Sequence, residues 1–382
     1  MSTLSEFDPI RPFEPEELPE VFERLLNNEQ FRKVIAFIMP EMSFDVFATR
    51  MRECKTGLEF QHTFCYGFLE KLLSKASKSC DIDISAIGNQ GRFTFISNHR
   101  DIVLDSAFLD KLLIDAGFTT TCEIAIGDNL LSLPWIKDLV RVNKSFIVER
   151  NLPMRQMLGA SRRLSEYMHY AVNVKHENVW IAQREGRAKD SDDRTQEAVL
   201  KMMAMGGTGS AGERVIQLHI VPLTISYEFD PCDYLKAQEF QLKRDVQGWK
   251  KSPQDDLVSM QTGIFGYKGR IHYQCAPCLD NYLTQLDPAL PKTELYASIA
   301  AFIDRQIHRN YRLYPCNYVA LDLLRGSTAY RSAYTDVDQT AFEQYISGQL
   351  AKIELENKDE SYLRERLLTM YANPAINYLA AQ

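Results

Sequence analysis

The chain has 382 residues, 45% of them hydrophobic and 25% charged, an ordinary balance for a folded globular protein. A formal net charge of −7 argues against nucleic acid as a partner. No apolar run reaches the roughly 18 residues of a bilayer span, and the start has neither a charged nor an apolar signal region, so the eight cysteines are expected to be reduced cytosolic thiols.

Three regions are expected: a helical segment over 1–80, an α/β domain over 81–290, and a helical region over 291–382 packed on that domain. Pro15-Glu16-Glu17 opens the first helix with acids in its first turn, and Leu18 to Leu26 carries apolar residues at helical spacing. The very apolar stretch from Phe31 to Met39 stops at Pro40 and suits either buried core or a membrane surface. Leu58 to Ala76 reads as a further amphipathic helix, with His62 in a structural place.

From residue 92 strand-length apolar runs alternate with helical stretches. The strands are expected at Phe93–Ile96, Cys122–Ile126, Ser145–Val148, Val179–Gln183, Leu218–Tyr227 and Arg270–Tyr273. Helices are expected at 106–115, 135–142, 153–175 and 194–205. This alternation predicts an α/β fold with a mostly parallel sheet flanked by helices and functional residues at strand ends. The glycine-rich stretch 206–212 lacks the Gly-Lys-Ser/Thr ending of a phosphate loop and reads as a flexible link. Residues 230–265 read as polar and loop-rich, and 295–380 as helices punctuated by Pro315 and Pro374. Cys275-Ala-Pro-Cys278 has no second pair at zinc spacing.

Four segments end predicted strands with polar or charged residues. At the first, Asn98 and His99 are followed by Asp105, with Asp101 as a rival carboxylate. A carboxylate beside an imidazole fixes its tautomer and steadies the imidazolium formed when a hydroxyl proton is taken. The second runs from Lys144 to Arg150, whose forked guanidinium suits phosphate. Around it Lys137, Arg141, Lys144, Arg150, Arg155, Arg162 and Arg163 stand against only Asp138 and Glu149, which suits a phosphate-bearing substrate or an anionic lipid surface. The third is Arg184-Glu185-Gly186-Arg187-Ala188-Lys189, where Gly186 permits a tight turn and Glu185 can organise the cations or hold a substrate hydroxyl. The fourth, around Val221-Pro222, reads as an edge or bulged strand forming the wall of an apolar pocket. His169, His176, His219, His272 and His308 lack such company, and His219 reads as a core residue. No Gly-x-Ser-x-Gly elbow occurs.

In this order the four segments resemble the blocks of the glycerolipid acyltransferase superfamily, the glycerol-3-phosphate and lysophosphatidate acyltransferases. The counterparts are Asn98-His99 to Asp105, Phe146 to Arg150, Glu185-Gly186-Arg187, and Val221-Pro222, and the likeness covers about 92–275. The stretch Ile126-Gly-Asp-Asn-Leu130, then Pro134-Trp135-Ile136 and Arg141, is similar to the piece between the first two blocks. Two spacings depart from the pattern. Five residues instead of four separate His99 from Asp105, and the third block lacks one residue, so either Arg187 or Lys189 can fill its Arg role.

The resemblance implies a general base, His99, oriented by Asp105, that deprotonates a glycerol-type hydroxyl for direct attack on an acyl thioester. It implies Arg150 with Arg187 or Lys189 as phosphate ligands, and Asn98, Glu185, Gly186 and Lys144 as positioning residues. It also implies an acyl-CoA or acyl-carrier-protein donor, a phosphate-bearing glycerol acceptor, no metal or other cofactor, and a cytoplasmic enzyme resting peripherally on the inner face of an anionic membrane. The alternatives are another lysolipid acceptor, such as an amino-acid lipid, and an inactive relative that binds lipid or acyl carrier.

Overall fold

The computed structural model describes residues 4–150 and 152–382. Among the described residues seven strands form one sheet: β1 (Ser79–Asp83), β2 (Thr94–Ser97), β3 (Cys122–Gly127), β4 (Ser145–Val148), β5 (Asn178–Ala182), β6 (Ile220–Tyr227) and β7 (Arg270–Cys275). Their order is β1-β7-β6-β2-β5-β3-β4. Only the β6–β7 pairing is antiparallel, so β6, β2, β5, β3 and β4 run one way and β1 and β7 the other. The five co-directional strands therefore deliver their C-terminal residues to one edge.

The central strands are apolar because both faces are covered. Successive residues point to opposite sides. On one side Ile96, Val179, Ile181 and Ile220 pack with Tyr167 and Met168 of the helix Met154–Asn173 and with Ile299 and Ile303 of the helix Lys292–Arg309. On the other, Phe95, Trp180 and Val221 pack with Phe108, Leu109 and Leu112 of the helix Leu104–Asp115. The N-terminal helices Leu18–Leu26, Glu29–Ile38 and Phe44–Glu53 form a separate core around Phe22, Phe31, Phe47, Phe60 and Phe64. Helices Pro315–Arg325, Asp336–Ala351 and Glu360–Ala381 form another with Ala237.

Several sequence expectations change. β1 has no apolar run to announce it, being a half-exposed edge strand that reads Ser-Cys-Asp-Ile-Asp. Residues 230–265 hold two helices, Asp233–Asp245 and Pro253–Phe265, instead of loops. The first hides its identity by burying Asp233, Lys236, Glu239 and Gln241, polar groups that find partners inside. The second starts with Ser252 in a capping box with Asp255 and with Pro253 in its first turn, a legible helix start. The link at 206–212 likewise ends in a helix, Ala211–Ile216, capped by Ser210 and Glu213. Pro374 lies inside Glu360–Ala381 and does not end it.

β6 is an interior strand, not an edge. Its pairing with β7 stops at Leu223 opposite Cys275, and the Pro222 carbonyl accepts from the Ala276 N–H at 2.9 Å. The N and C=O of one strand residue point the same way, so the missing proline N–H falls where the β7 ladder has already ended.

Candidate active site

β2 stops at Ser97, and the next residue locks the strand end. The Asn98 side chain donates to the Ile225 carbonyl at 2.9 Å and accepts from the Ile225 N–H at 2.8 Å. Both ends of its amide thus bond to β6, which makes Asn98 a clasp under the site. His99 then projects at the mouth of the sheet, its side chain 13% exposed. Its Nδ1 lies 2.8 Å from Asp105 Oδ2. The same oxygen accepts the main-chain N–H groups of Arg100 at 2.6 Å and Asp101 at 3.0 Å. Asp105 is fully buried in the first turn of the helix Leu104–Asp115, where the free N–H groups of a helix start favour a carboxylate. The Tyr273 hydroxyl donates to its main-chain oxygen at 2.9 Å.

Asp101 has a different task. Its Oδ1 accepts from the N–H groups of Val103 and Leu104, at 2.9 and 2.8 Å, and so caps that helix. The extra residue between His99 and Asp105 is absorbed by this turn, and the imidazole meets Asp105. Trp180 of β5 stands edge-on to His99 at 5.6 Å and donates to Ser97 Oγ at 3.0 Å. The Ser97 hydroxyl is spent on the Asn98 carbonyl at 2.8 Å. Among the described residues nothing hydrogen-bonds His99 Nε2. With Nδ1–H held by a carboxylate, Nε2 is the nitrogen with a lone pair to offer.

The second and third blocks reach the same edge of the sheet. Registers of Ser97 with Ala182 and Gly127 with Val148 align the strand ends. Arg150 follows β4, three strands from β2, or roughly 14 Å at the usual strand spacing. Its Nη1 is 3.5 Å from Glu185 Oε1, and its N–H donates to Asp128 Oδ1 at 3.2 Å. The guanidinium lies over Gly127, where an added Cβ would sit 3.1 Å from Nε. After Glu185, Gly186 takes φ +67, a left-handed turn that suits glycine. The turn sends Arg187 inward, where it is 8% exposed and its Nη1 has no partner.

Arg187 and Lys189 line a cavity of about 50 Å³ together with Lys236, Lys251, Glu239 and Ser259. Lys189 lies 3.0 Å from Glu239, and burial, then the charge of Arg187, push its ammonium down to about 8. Lys236 pairs with Asp230 and lies 3.4 Å from the Arg100 carbonyl, which ties this cavity to the His99 turn. The cations thus form two groups, an exposed Arg150 and a buried cluster around Arg187 and Lys189.

Two expected site features lie elsewhere. Lys144 precedes β4 at the opposite edge of the sheet, where its ammonium donates to Thr120 Oγ1 at 2.8 Å, the Thr121 carbonyl at 3.2 Å and Glu177 at 2.8 Å. Val221 is fully buried among Phe95 and Leu223, so Val221-Pro222 builds the sheet core and not a pocket wall. The residues that sequence reading missed are Lys236 and Lys251, hidden in the segment read as loop, and Gln183. The Gln183 amide is buried at the end of β5 without a partner. Charge density in 230–251 was the only signal for the lysines.

The C-terminal ends of the co-directional strands thus carry a His–Asp pair and, tied to its turn, a cationic cavity. Residues 80–226 match the family model described as Acyltransferase. Among solved structures, the chain is similar to the 1-acyl-sn-glycerophosphate (LPA) acyltransferase PlsC from Thermotoga maritima. The identity is 11% and the TM-score 0.39, over 77% of this chain and 96% of that one. No curated protein matches the chain.

Proposed function

We propose that this acyltransferase moves a fatty acyl group from an acyl thioester, on CoA or acyl carrier protein, to a hydroxyl of glycerol 3-phosphate or 1-acylglycerol 3-phosphate. The observation that carries the proposal is the 2.8 Å contact of His99 Nδ1 with a fully buried carboxylate, which leaves Nε2 at the mouth. Nε2 takes the proton of the acceptor hydroxyl as its oxygen attacks the thioester carbonyl. The tetrahedral adduct then expels the thiolate, which recovers that proton from the imidazolium. Asp105 steadies the imidazolium between the two steps.

Arg187 and Lys189 are the acceptor's phosphate ligands in this proposal. A buried guanidinium with an unpaired N–H beside a second cation suits a dianionic phosphate, to which Arg bonds in bidentate fashion. Arg150 gives a further cation at the rim. The acyl-enzyme route through Ser97 finds no support, since that hydroxyl is already committed. The irregular His-to-Asp spacing, the one ground for an inactive relative, loses weight because the pair forms all the same.

Acyl transfer by the full chain, with labelled acyl-CoA or acyl carrier protein and each acceptor in turn, tests the proposal. His99→Ala is expected to lower the rate about 10²–10⁴-fold while vesicle binding persists. Unchanged transfer in this variant, or no transfer by the wild type with any donor and acceptor pair, rules the mechanism out.

A further inference from the structure

The opposite edge of the sheet holds a second cluster. His219 immediately precedes β6, and Cys278 and Asp280 follow β7, which runs the other way and so ends where β6 begins. The Leu279 N–H donates to the Ile220 carbonyl at 2.8 Å and holds the two chain segments together. His219 is not the core residue its apolar neighbours suggest. It adopts φ +46, and its side chain is 43% exposed. Its Nδ1 lies 2.6 Å from Asp280 Oδ2.

Ligand atoms of His219, Cys278 and Asp280 all lie within 4.8 Å of one another. One further feature goes beyond proximity. Asp280 Oδ1 is shielded from solvent yet has no hydrogen-bond partner. Burial pushes the Cys278 thiol up, so its proton leaves only as a metal ion binds.

We propose that His219, Cys278 and Asp280 bind one divalent transition-metal ion of the zinc class. One sulfur, one imidazole nitrogen and one carboxylate oxygen fit the borderline-soft preference of Zn²⁺, and three protein ligands leave its fourth tetrahedral position to water. Calcium and magnesium want oxygen-rich sites and are disfavoured here. Two ligands of a tetrahedral zinc stand about 3.3 Å apart, so the His219–Asp280 hydrogen bond opens by roughly 0.7 Å as the ion enters. Cys275, the other cysteine of the CxxC pair, is buried in the core on the sheet face and takes no part. The ion joins the entry of β6 to the exit of β7 at the edge away from His99, so its role is to fasten the fold and not to act in acyl transfer.

The test is a cobalt titration of the full chain after chelation, followed by zinc competition. One equivalent of Co²⁺ is expected to give a thiolate-to-cobalt charge-transfer band, which Zn²⁺ displaces with a rise in melting temperature. Cys278→Ser removes the band and weakens Zn²⁺ at least about 100-fold, and Asp280→Asn weakens it at least about 10-fold, since even changes behind a ligand cost 10–100-fold. Acyl transfer by folded Cys278→Ser is unchanged. A wild-type chain that gives no thiolate band, or a band that survives in Cys278→Ser, overturns the assignment.

Discussion

Asp105 Oδ2 receives three donors: the His99 imidazole and the main-chain N–H groups of Arg100 and Asp101. The carboxylate is thereby fixed before any substrate arrives, and the imidazole inherits its orientation. Lys189 shows the reverse economy. Burial and the neighbouring Arg187 make its ammonium give up a proton near pH 8, below the usual lysine range. If Lys189 holds the acceptor phosphate, its positive charge is present below that pH and is lost as pH rises through it. Acceptor KM is therefore expected to rise roughly tenfold from about pH 7 to about pH 9, the worth of one charge-assisted hydrogen bond, with kcat less affected. Lys189→Arg keeps its charge over this span and flattens the profile. A wild-type KM that stays level across the same range separates Lys189 from phosphate binding.

At the scale of elements, the His99–Asp105 pair depends on how one helix begins. Asp101 caps the helix that carries Asp105, and Asp101 in turn packs against Gly263 of the helix Pro253–Phe265. A Cβ at position 263 would lie 2.1 Å from Asp101 Oδ2. Glycine to alanine in a helix ordinarily gains roughly 1 kcal/mol. Here overpacking against a capping carboxylate wins, and Gly263→Ala is expected to cost about 1–3 kcal/mol. Urea unfolding measures the sign. A drop in acyl transfer beyond the loss of folded protein would show that the His99 turn has shifted, whereas a stabilised, fully active variant would show that Asp101 can move aside at no cost.

At the scale of the whole molecule, no helix among the described residues is long and apolar enough to cross a membrane. One apolar stripe nevertheless faces solvent beside the site. Met154, Met157 and Leu158, at 88%, 46% and 68% exposure, sit one helical turn apart where Met154–Asn173 begins, shortly after Arg150. Exposed Arg155 and Arg162 flank them. Apolar side chains beside arginines suit the surface of an anionic bilayer, and docking there would turn the His99 end of the sheet toward it. Met154→Asp combined with Leu158→Asp is expected to reduce flotation with phosphatidylglycerol vesicles at least about tenfold, since each apolar side chain buried is worth roughly 1.5–3 kcal/mol. Undiminished flotation would place the lipid contact elsewhere, and the exposed Phe37 and Phe265, in edge contact at 6.1 Å, would be the next surface to change.

Strand and helix periodicity is local information, and it is enough to read six of the seven strands found among the described residues, their alternation with helices, and the strand ends that carry His99, Arg150 and Glu185. Those features follow from covering both faces of a parallel sheet, which writes long apolar runs into the chain. Whatever depended on distant partners stayed hidden. The choice between Asp101 and Asp105 turned on which carboxylate caps a helix and which meets an imidazole, a matter of a few ångströms in one turn. Lys144 kept the same basic character in sequence whether it faced a substrate or, as found, Glu177 across the far edge of the sheet. The polar helix Asp233–Asp245 escaped notice because its buried charges are satisfied by residues far along the chain, such as Asp233 by Tyr371 at 2.7 Å and Glu239 by Lys189 at 3.0 Å. His219, Cys278 and Asp280 meet only because β7 runs antiparallel to β6, a pairing that no local pattern encodes.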